Sequence, residues 1–290
     1  IIIVINIIGK DNKEIEQAAE EVPVVEVTEE VASTEPDQPV KNTVEAPEIE
    51  IIAADVAAMD DADDPAESSN HQKDADAAID VSAAFQNNQY ETSGMSIGID
   101  VAKYQGTIDW SQVAASGVEF AMIRVGYRTQ KTGVIYEDPC AKYNMQQAQA
   151  AGIKLGAYFF STAVTEQEAL EEAAWVTNYI AQYKITYPVA YNCEGFKSAD
   201  SRQYGMDNAS RSNLAAAFLN YVAKQGYTPM FYAAKNELTD STDWDTSALS
   251  SKYKIWVSQY PDTPFPQTAN SSYTGTHAMW QYTNKGQIPG

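Results

Sequence analysis

The sequence has few of the residues that build metal centres or nucleophilic triads. Its 290 residues include two cysteines, Cys140 and Cys193, and two histidines, His71 and His277. A zinc site needs several such ligands and a serine triad needs a histidine base, so we expect neither. The sequence also has no C-x-x-C pair, phosphate-binding loop or dinucleotide fingerprint. We therefore expect no metal and no cofactor.

The two cysteines allow at most one disulfide. Cys193 lies in a predicted buried strand, where a free thiol serves as a small hydrophobic side chain. We therefore expect Cys140 and Cys193 to be free thiols.

Positive charge and aromatic residues are scarce in the first third of the chain. Residues 1–94 hold 23 acidic residues against 4 lysines, no tryptophan, and only Phe85 and Tyr90 as aromatic residues. Such a segment cannot bury enough apolar surface to offset its conformational entropy, so we predict a disordered acidic tether over 1–94. Residues 95–290 hold 17 acidic and 15 basic residues and all five tryptophans, which is enough for one sizeable core. The absence of clustered bases also argues against nucleic acid as a partner.

No hydrophobic run reaches the roughly 20 residues that span a bilayer. The run IIIVINII at residues 1–8 is the most apolar stretch, and it allows two interpretations: the remnant of a membrane anchor or signal segment, or a short strand. An anchor, an acidic tether and a globular domain in that order would place the domain outside the cell. We therefore expect an extracellular or surface-tethered monomer.

From residue 95 onward, short apolar runs alternate with helical patterns. Thr165, with Glu168 three residues later, opens an amphipathic helix, and Ser210 and Gly226 mark the two ends of a second. The apolar runs cover 96–101, 119–127, 154–161, 187–194, 228–234, 254–260 and 278–283. Strand and helix in repeated alternation predict an α/β fold with a parallel sheet or barrel.

Polar side chains collect where these predicted strands end. In YPVAYNCEG (187–195), Asn192 and Glu194 share a face because side chains alternate along a strand. The carboxyl ends of parallel strands carry the chemistry of barrel enzymes, so Glu194 and Asp100 are candidate catalytic groups. Further candidates for binding are Arg124, Tyr158, Tyr232, Gln259, Tyr260, Trp280 and Gln281. Carboxylates, amides and aromatic rings together suit a carbohydrate, although any single aromatic residue here could equally be core.

Six blocks in this order resemble the glycoside hydrolase family 25 lysozymes. They are GIDVAKYQGTIDW (98–110), FAMIRVGY (120–127), AGIKLGAYFF (151–160), PVAYNCEGF (188–196), IWVSQY (255–260) and MWQYTNKGQIPG (279–290). The resemblance covers 95–290 and implies a modified TIM-type (β/α) barrel, with about five βα units and an irregular β-rich end. The implied activity is that of an N-acetylmuramidase, which cleaves the β-1,4 bond between N-acetylmuramic acid and N-acetylglucosamine in bacterial peptidoglycan.

The resemblance also implies roles for individual residues. Glu194 matches the glutamate of the family's D-x-E motif, the expected general acid, and Asp100 matches the carboxylate of the first strand. Asn192 stands where the motif has aspartate, so we expect hydrolysis by this chain to be impaired. The family places another aspartate on a final strand after the WQYT block, and the sequence ends at Gly290 before that position.

Three questions stay open at the level of sequence. Arg124 either pairs with a carboxylate of the site or binds carboxylates of the substrate. The domain is either a muramidase or a peptidoglycan-binding module on a degenerate barrel, and Asn192 is compatible with both. A barrel glycosidase acting on another polysaccharide such as chitin is a more remote alternative.

Overall fold

Strands alternate with helices along the chain, as the hydrophobic pattern predicts. The computed structural model describes residues 2–7 as backbone, and residues 64–67, 79–85 and 94–290. The strands are β1 (Ile2–Ile7), β2 (Ile79–Asp80), β3 (Met95–Val101), β4 (Phe120–Arg128), β5 (Ile135–Glu137), β6 (Lys154–Phe160), β7 (Ile185–Asn192), β8 (Pro229–Ala234), β9 (Lys254–Ser258), β10 (Met279–Thr283) and β11 (Gly286–Gln287). The α-helices are α1 (Ser82–Phe85), α2 (Trp110–Ala115), α3 (Ala141–Ala150), α4 (Glu166–Ile180), α5 (Asn208–Lys224), α6 (Lys235–Thr239) and α7 (Thr246–Ser250); Pro65–Glu67 and Lys103–Gln105 form short 3-10 helices.

The main sheet closes on itself. Its nine strands run in the order β3-β1-β10-β9-β8-β7-β6-β4-β5, and an additional pairing joins β3 to β4. The pairings from β3 through β4, β6, β7, β8 and β9 to β10 are parallel, whereas β1 is antiparallel to both β3 and β10. Among the described strands, β5 pairs with β4 alone, so it lies outside the closed ring. This arrangement confirms the predicted modified TIM-type (β/α) barrel.

Side-chain alternation separates an outer core from the barrel interior. On β7, Val189 and Tyr191 belong to the large core cluster, which the packed helices share, and so does Cys193 just after the strand. Ala190, between them, belongs to a smaller cluster inside the barrel. The interior cluster consists of Phe120, Met122, Tyr187, Ala190, Met230, Tyr232, Trp256 and Met279. Because both faces of the parallel strands are covered, the strands read as nearly continuous apolar runs.

Three short pieces from the first third of the chain pack on this barrel. The backbone of β1 fills the gap between β3 and β10, so residues 2–7 form a strand, one of the two interpretations that the sequence left open. Residues 79–85 add β2, which pairs with β11, and bring Phe85 into the core. Residues 64–67 lie at the mouth of the barrel. The rest of the predicted tether over 1–94 lies outside the described residues. The acidic composition of 1–94 did not predict that these three pieces would pack on the barrel.

Among the described residues, no helix is both long and apolar enough to cross a membrane. Both cysteines are free thiols, as expected. The buried Cys193 Sγ donates to Gln203 Oε1 at 3.3 Å, and burial raises the pKa of this thiol.

The predicted helix caps are right in two cases and displaced in a third. Thr165 caps α4 by accepting from the Glu168 N–H at 3.2 Å, and Gly226 follows α5 with a φ of 85°. Helix α5 begins earlier than predicted, because Asp207 rather than Ser210 is its cap. The Asp207 carboxylate accepts from the Ser210 backbone N–H at 2.8 Å. A carboxylate competes well with a hydroxyl for the free N–H groups of a first turn.

Replacing Thr165 by alanine should lower the free energy of unfolding by about 1 kcal/mol, because the first turn of α4 loses its capping oxygen. Thr165→Ser keeps that oxygen and is the matched control. Urea unfolding followed by circular dichroism measures both. Equal stability of the two variants would show that the cap contributes nothing.

Candidate active site

The carboxyl ends of β3 and β7 bring the three predicted catalytic residues to one cleft. Asp100 lies near the end of β3, Asn192 is the last residue of β7, and Glu194 follows two residues later. All three line a cleft with an empty volume of about 490 Å³ at the mouth of the barrel. Asp100 and Asn192 are buried and Glu194 is partly exposed. Asn192 and Glu194 thus both face the cleft, although β7 itself ends at Asn192.

A hydrogen-bond network from Gln281 holds the Asp100 carboxylate. The Gln281 Nε2 donates to Asp100 Oδ2 at 3.1 Å. Its Oε1 accepts from the hydroxyls of Tyr232 at 3.0 Å and Tyr260 at 2.6 Å. Burial and the nearby charge of Glu194 raise the pKa of Tyr232 well above its ordinary value, so this phenol remains a donor at neutral pH. Two hydroxyl donors on the amide oxygen direct the amide nitrogen to Asp100, which makes Gln281 a positioning residue.

Aromatic rings form the walls of the cleft. Trp256 packs edge-on against Tyr158 with ring centroids 6.2 Å apart, and against Tyr232 at 4.8 Å. Tyr104 and Phe160 complete the aromatic lining. Rings of this kind offer apolar faces on which a sugar ring can stack. Trp256 was not among the predicted binding residues; its inward direction follows from its register, because it lies beside Tyr232 of β8 and Met279 of β10, which both face the barrel interior.

Arg124 lies behind the cleft wall and is almost fully buried, with 1% of its side chain exposed. Its Nε donates to Asp138 Oδ2 at 2.7 Å. Its two terminal nitrogens donate to the two carboxylate oxygens of Asp64, at 3.0 and 2.7 Å. Arg124 thus pairs with two carboxylates that sequence reasoning did not select, and with neither Asp100 nor Glu194 in the contacts described.

Besides Arg124, three predicted binding residues do not line the cleft: Tyr260, which meets it through its hydrogen bond to Gln281, and Gln259 and Trp280. Trp280 belongs to the outer core, because it alternates with the inward-facing Gln281 along β10, and its Nε1 donates to the Gln259 carbonyl at 2.7 Å. The Gln259 side-chain oxygen accepts from Ser271 Oγ at 3.1 Å and from the Ser272 N–H at 3.0 Å. Trp280 and Gln259 therefore brace the loop that follows β9.

A further carboxyl group lies near the cleft on α6. The Oε2 of Glu237 accepts from the Ala234 N–H at 3.3 Å. Burial, together with the charge of Glu194, raises the pKa of Glu237 to about 7. No sequence motif marked this residue. In the part of the chain that the structure describes, no three His, Cys, Asp or Glu side chains gather as metal ligands would.

A barrel with two carboxylates and aromatic walls at the carboxyl ends of its strands defines the class of α/β-barrel glycosidases. The family model "Glycosyl hydrolases family 25" matches residues 99–290. The chain belongs to this family.

The chain is also similar to a curated protein and, in fold, to solved structures. The chain is 27% identical to Lysozyme M1 of Streptomyces globisporus over 213 residues, which cover 69% of this chain and 65% of that protein. It thus spans just under two thirds of the length of this curated relative. Among solved structures, a family 25 glycosyl hydrolase from Bacillus anthracis superposes with a TM-score of 0.52 at 22% identity, over 67% of this chain and 81% of that one. The autolysin LytC of Streptococcus pneumoniae, in complex with a synthetic peptidoglycan ligand, gives 0.51 at 22% identity, over 64% of this chain and 42% of that one.

Removing the charge of Glu194 should lower the pKa of Glu237 from about 7 towards its ordinary value, because the Glu194 charge contributes to the upward shift. Carbon-13 NMR of the side-chain carboxyls, assigned with Glu237→Gln, measures the pKa in the parent and in Glu194→Gln. Because the folded protein favours the protonated, uncharged form of Glu237, the contribution of Glu237 to the free energy of unfolding should be complete below its unfolded pKa near 4.3. It should be lost as the pH rises through about 7. An unchanged Glu237 titration in Glu194→Gln would show that the two carboxyls do not interact.

Proposed function

We propose that this protein hydrolyses bacterial peptidoglycan at the β-1,4 bond between N-acetylmuramic acid and N-acetylglucosamine. The observation that carries the proposal is the joint placement of Asp100 and Glu194 in one cleft of a family 25 barrel. Glycoside hydrolysis uses such a pair of carboxyl groups, one to protonate the leaving oxygen and one to stabilise the positive charge that develops on the sugar.

The two carboxyl groups differ in their surroundings, which supports different roles. Glu194 is partly exposed at the cleft, where a sugar oxygen can approach it, and we assign it as the general acid. Asp100 is 3% exposed and accepts a hydrogen bond from Gln281. A buried carboxylate held by a neutral amide is suited to stabilising positive charge, so we assign Asp100 as the second carboxylate.

Asn192 makes this site different from the D-x-E pattern. It is 5% exposed and lines the cleft, and within the described residues its Oδ1 has no hydrogen-bond partner. A buried carbonyl oxygen without a partner is costly, and a substrate acetamido N–H would satisfy it. Asparagine thus keeps a binding role at this position but supplies no negative charge. Its effect should fall on the rate of the chemical step more than on binding.

The same observation supports a second candidate function, a peptidoglycan-binding module that turns over little or no substrate. In both cases the partner is the bacterial cell wall and the place of action is outside the cell or at its surface. A peptidoglycan ligand bound to the LytC autolysin supports this choice of partner. We also propose that the protein is a monomer and that the acidic stretch, apart from the three pieces packed on the barrel, acts as a tether.

The test is the release of reducing ends from purified peptidoglycan. Glu194→Gln should lower the rate by about 10²- to 10⁴-fold, because the general acid is lost. Asn192→Asp should raise it by about 10²-fold, because a charge is restored beside the reacting sugar. Glu166→Gln, on the exposed first turn of α4, is the matched control and should leave the rate unchanged.

The two candidate functions give different results in this assay. Turnover that depends on Glu194 supports the muramidase. Retained binding to the cell wall with no turnover by the parent or by Asn192→Asp would favour the binding module and contradict our catalytic assignment.

A further inference from the structure

The segment 64–67 of the acidic stretch lies in the mouth of the barrel. The Asp64 side chain is fully buried, and both of its oxygens are bound by Arg124. The ammonium group of Lys103 lies 3.2 Å from Asp64 Oδ2. Ala66 is 4% exposed, packs with Tyr127 and Phe160, and lines the same cleft as Asp100 and Glu194. A piece of the chain thus occupies the rim of the candidate active site.

The cations that hold Asp64 are built into the barrel. Arg124 comes from β4 and Lys103 from the 3-10 helix after β3. The Arg124 guanidinium lies 5.0 Å from the ring centroids of both Tyr104 and Tyr127. A guanidinium fixed between rings presents a rigid fork of donors that matches a carboxylate.

The other carboxylate at this place has a structural role. Asp138 accepts from Arg124 Nε, and also from the backbone N–H groups of Lys103 at 3.0 Å and Cys140 at 2.8 Å. These bonds tie Asp138 to the fold and leave the terminal nitrogens of Arg124 directed at Asp64. Without Asp64, the terminal nitrogens of the buried Arg124 would lose the carboxylate that binds them, which is costly unless another anion takes the place.

We propose that Arg124 and Lys103 form a carboxylate-binding subsite beside the cleft, and that residues 64–67 are an internal occupant that an acidic ligand must displace. Asp64 belongs to the strongly acidic stretch, whereas Arg124 lies 60 residues later, on β4. The occupant and the subsite thus come from different parts of the chain. Ala66, two residues after Asp64, lines the cleft, so the segment also occupies space in the cleft itself. The segment therefore acts as an autoinhibitory contact.

The class of the displacing ligand rests on the proposed function. Peptidoglycan offers carboxylates from two sources, the lactyl group of N-acetylmuramic acid where no peptide is attached, and the stem peptide. Either would fit the fork of Arg124. Chitin oligomers offer the same N-acetylglucosamine rings without a carboxylate, so they serve as the matched control ligand.

The first experiment asks whether the segment is seated in the full chain, without any ligand. In the parent, the Ala66 N–H donates to Asp64 Oδ1 at 3.0 Å and should exchange slowly with deuterium. Asp64→Asn removes the charge, and Ala66→Glu places a bulky charged group where Ala66 is buried; both should speed exchange of the peptide that contains 64–67. Asp200→Asn, an exposed residue with the same change of charge, should leave the exchange unchanged. Unprotected exchange in the parent would overturn the proposal.

The second experiment uses three ligands on the Glu194→Gln background, so that none is cut. They are muramic acid saccharides without peptide, the same saccharides with the stem peptide, and chitotetraose. A carboxylate-bearing ligand should speed exchange of 64–67, and the ligand that does so identifies the source. Its affinity should rise about tenfold in Asp64→Asn, the factor expected if the segment leaves the subsite open about one tenth of the time.

The results separate this inference from the proposed function. Displacement by chitotetraose as effective as by the acidic saccharides, or equal affinity of parent and Asp64→Asn, would overturn the carboxylate subsite. Absence of reducing ends in the peptidoglycan assay would contradict the muramidase. Slow exchange of residues 64–67 that becomes faster when the acidic ligands bind would still support the subsite and its occupant.

Discussion

The cleft depends on the two-residue alternation of side chains along the parallel strands. On β7 and β10 the same rule sends Tyr191 and Trp280 into the outer core and directs Asn192 and Gln281 to the cleft. The outer cores are filled by large apolar groups, so a shift of one residue in any strand would bury a polar side chain among them. Strong packing on one face thus fixes the position of the chemistry on the other.

Much of this arrangement could be predicted from the sequence. The apolar runs marked the seven parallel strands to within a few residues, and the Thr165 cap marked the start of α4. The site could be approached by the same route, because Asp100 and Glu194 lie where predicted strands end. Trp280 shows that position at a strand end does not by itself predict the direction of a side chain. An aromatic residue there faces inward or outward according to its register, which can be assigned only from a neighbour whose direction is known, such as Gln281.

Contacts between residues distant in sequence were out of reach. Asp64 and Arg124 lie 60 residues apart, and no periodicity relates them. The acidic stretch has the composition of a solvated chain, yet one carboxylate in it meets a buried guanidinium. Burial would raise the pKa of Asp64, but Arg124 and Lys103 outweigh this and hold it below its ordinary value. A single charge-assisted contact can therefore seat a segment that has too little apolar surface to fold alone.

The hydrogen bond from Gln281 to Asp100 joins residues 181 positions apart. A ribosome makes the chain from the amino end, so Asp100 emerges long before its partner exists. Until residue 281 has been added and β10 has paired beside β9, the Asp100 carboxylate has no Gln281 amide to orient it, and the barrel has a gap at this edge. The arranged site thus appears only after β10 has been made and has paired. Nascent chains, and fragments that lack β10, would carry the acidic residues without the geometry that makes them useful.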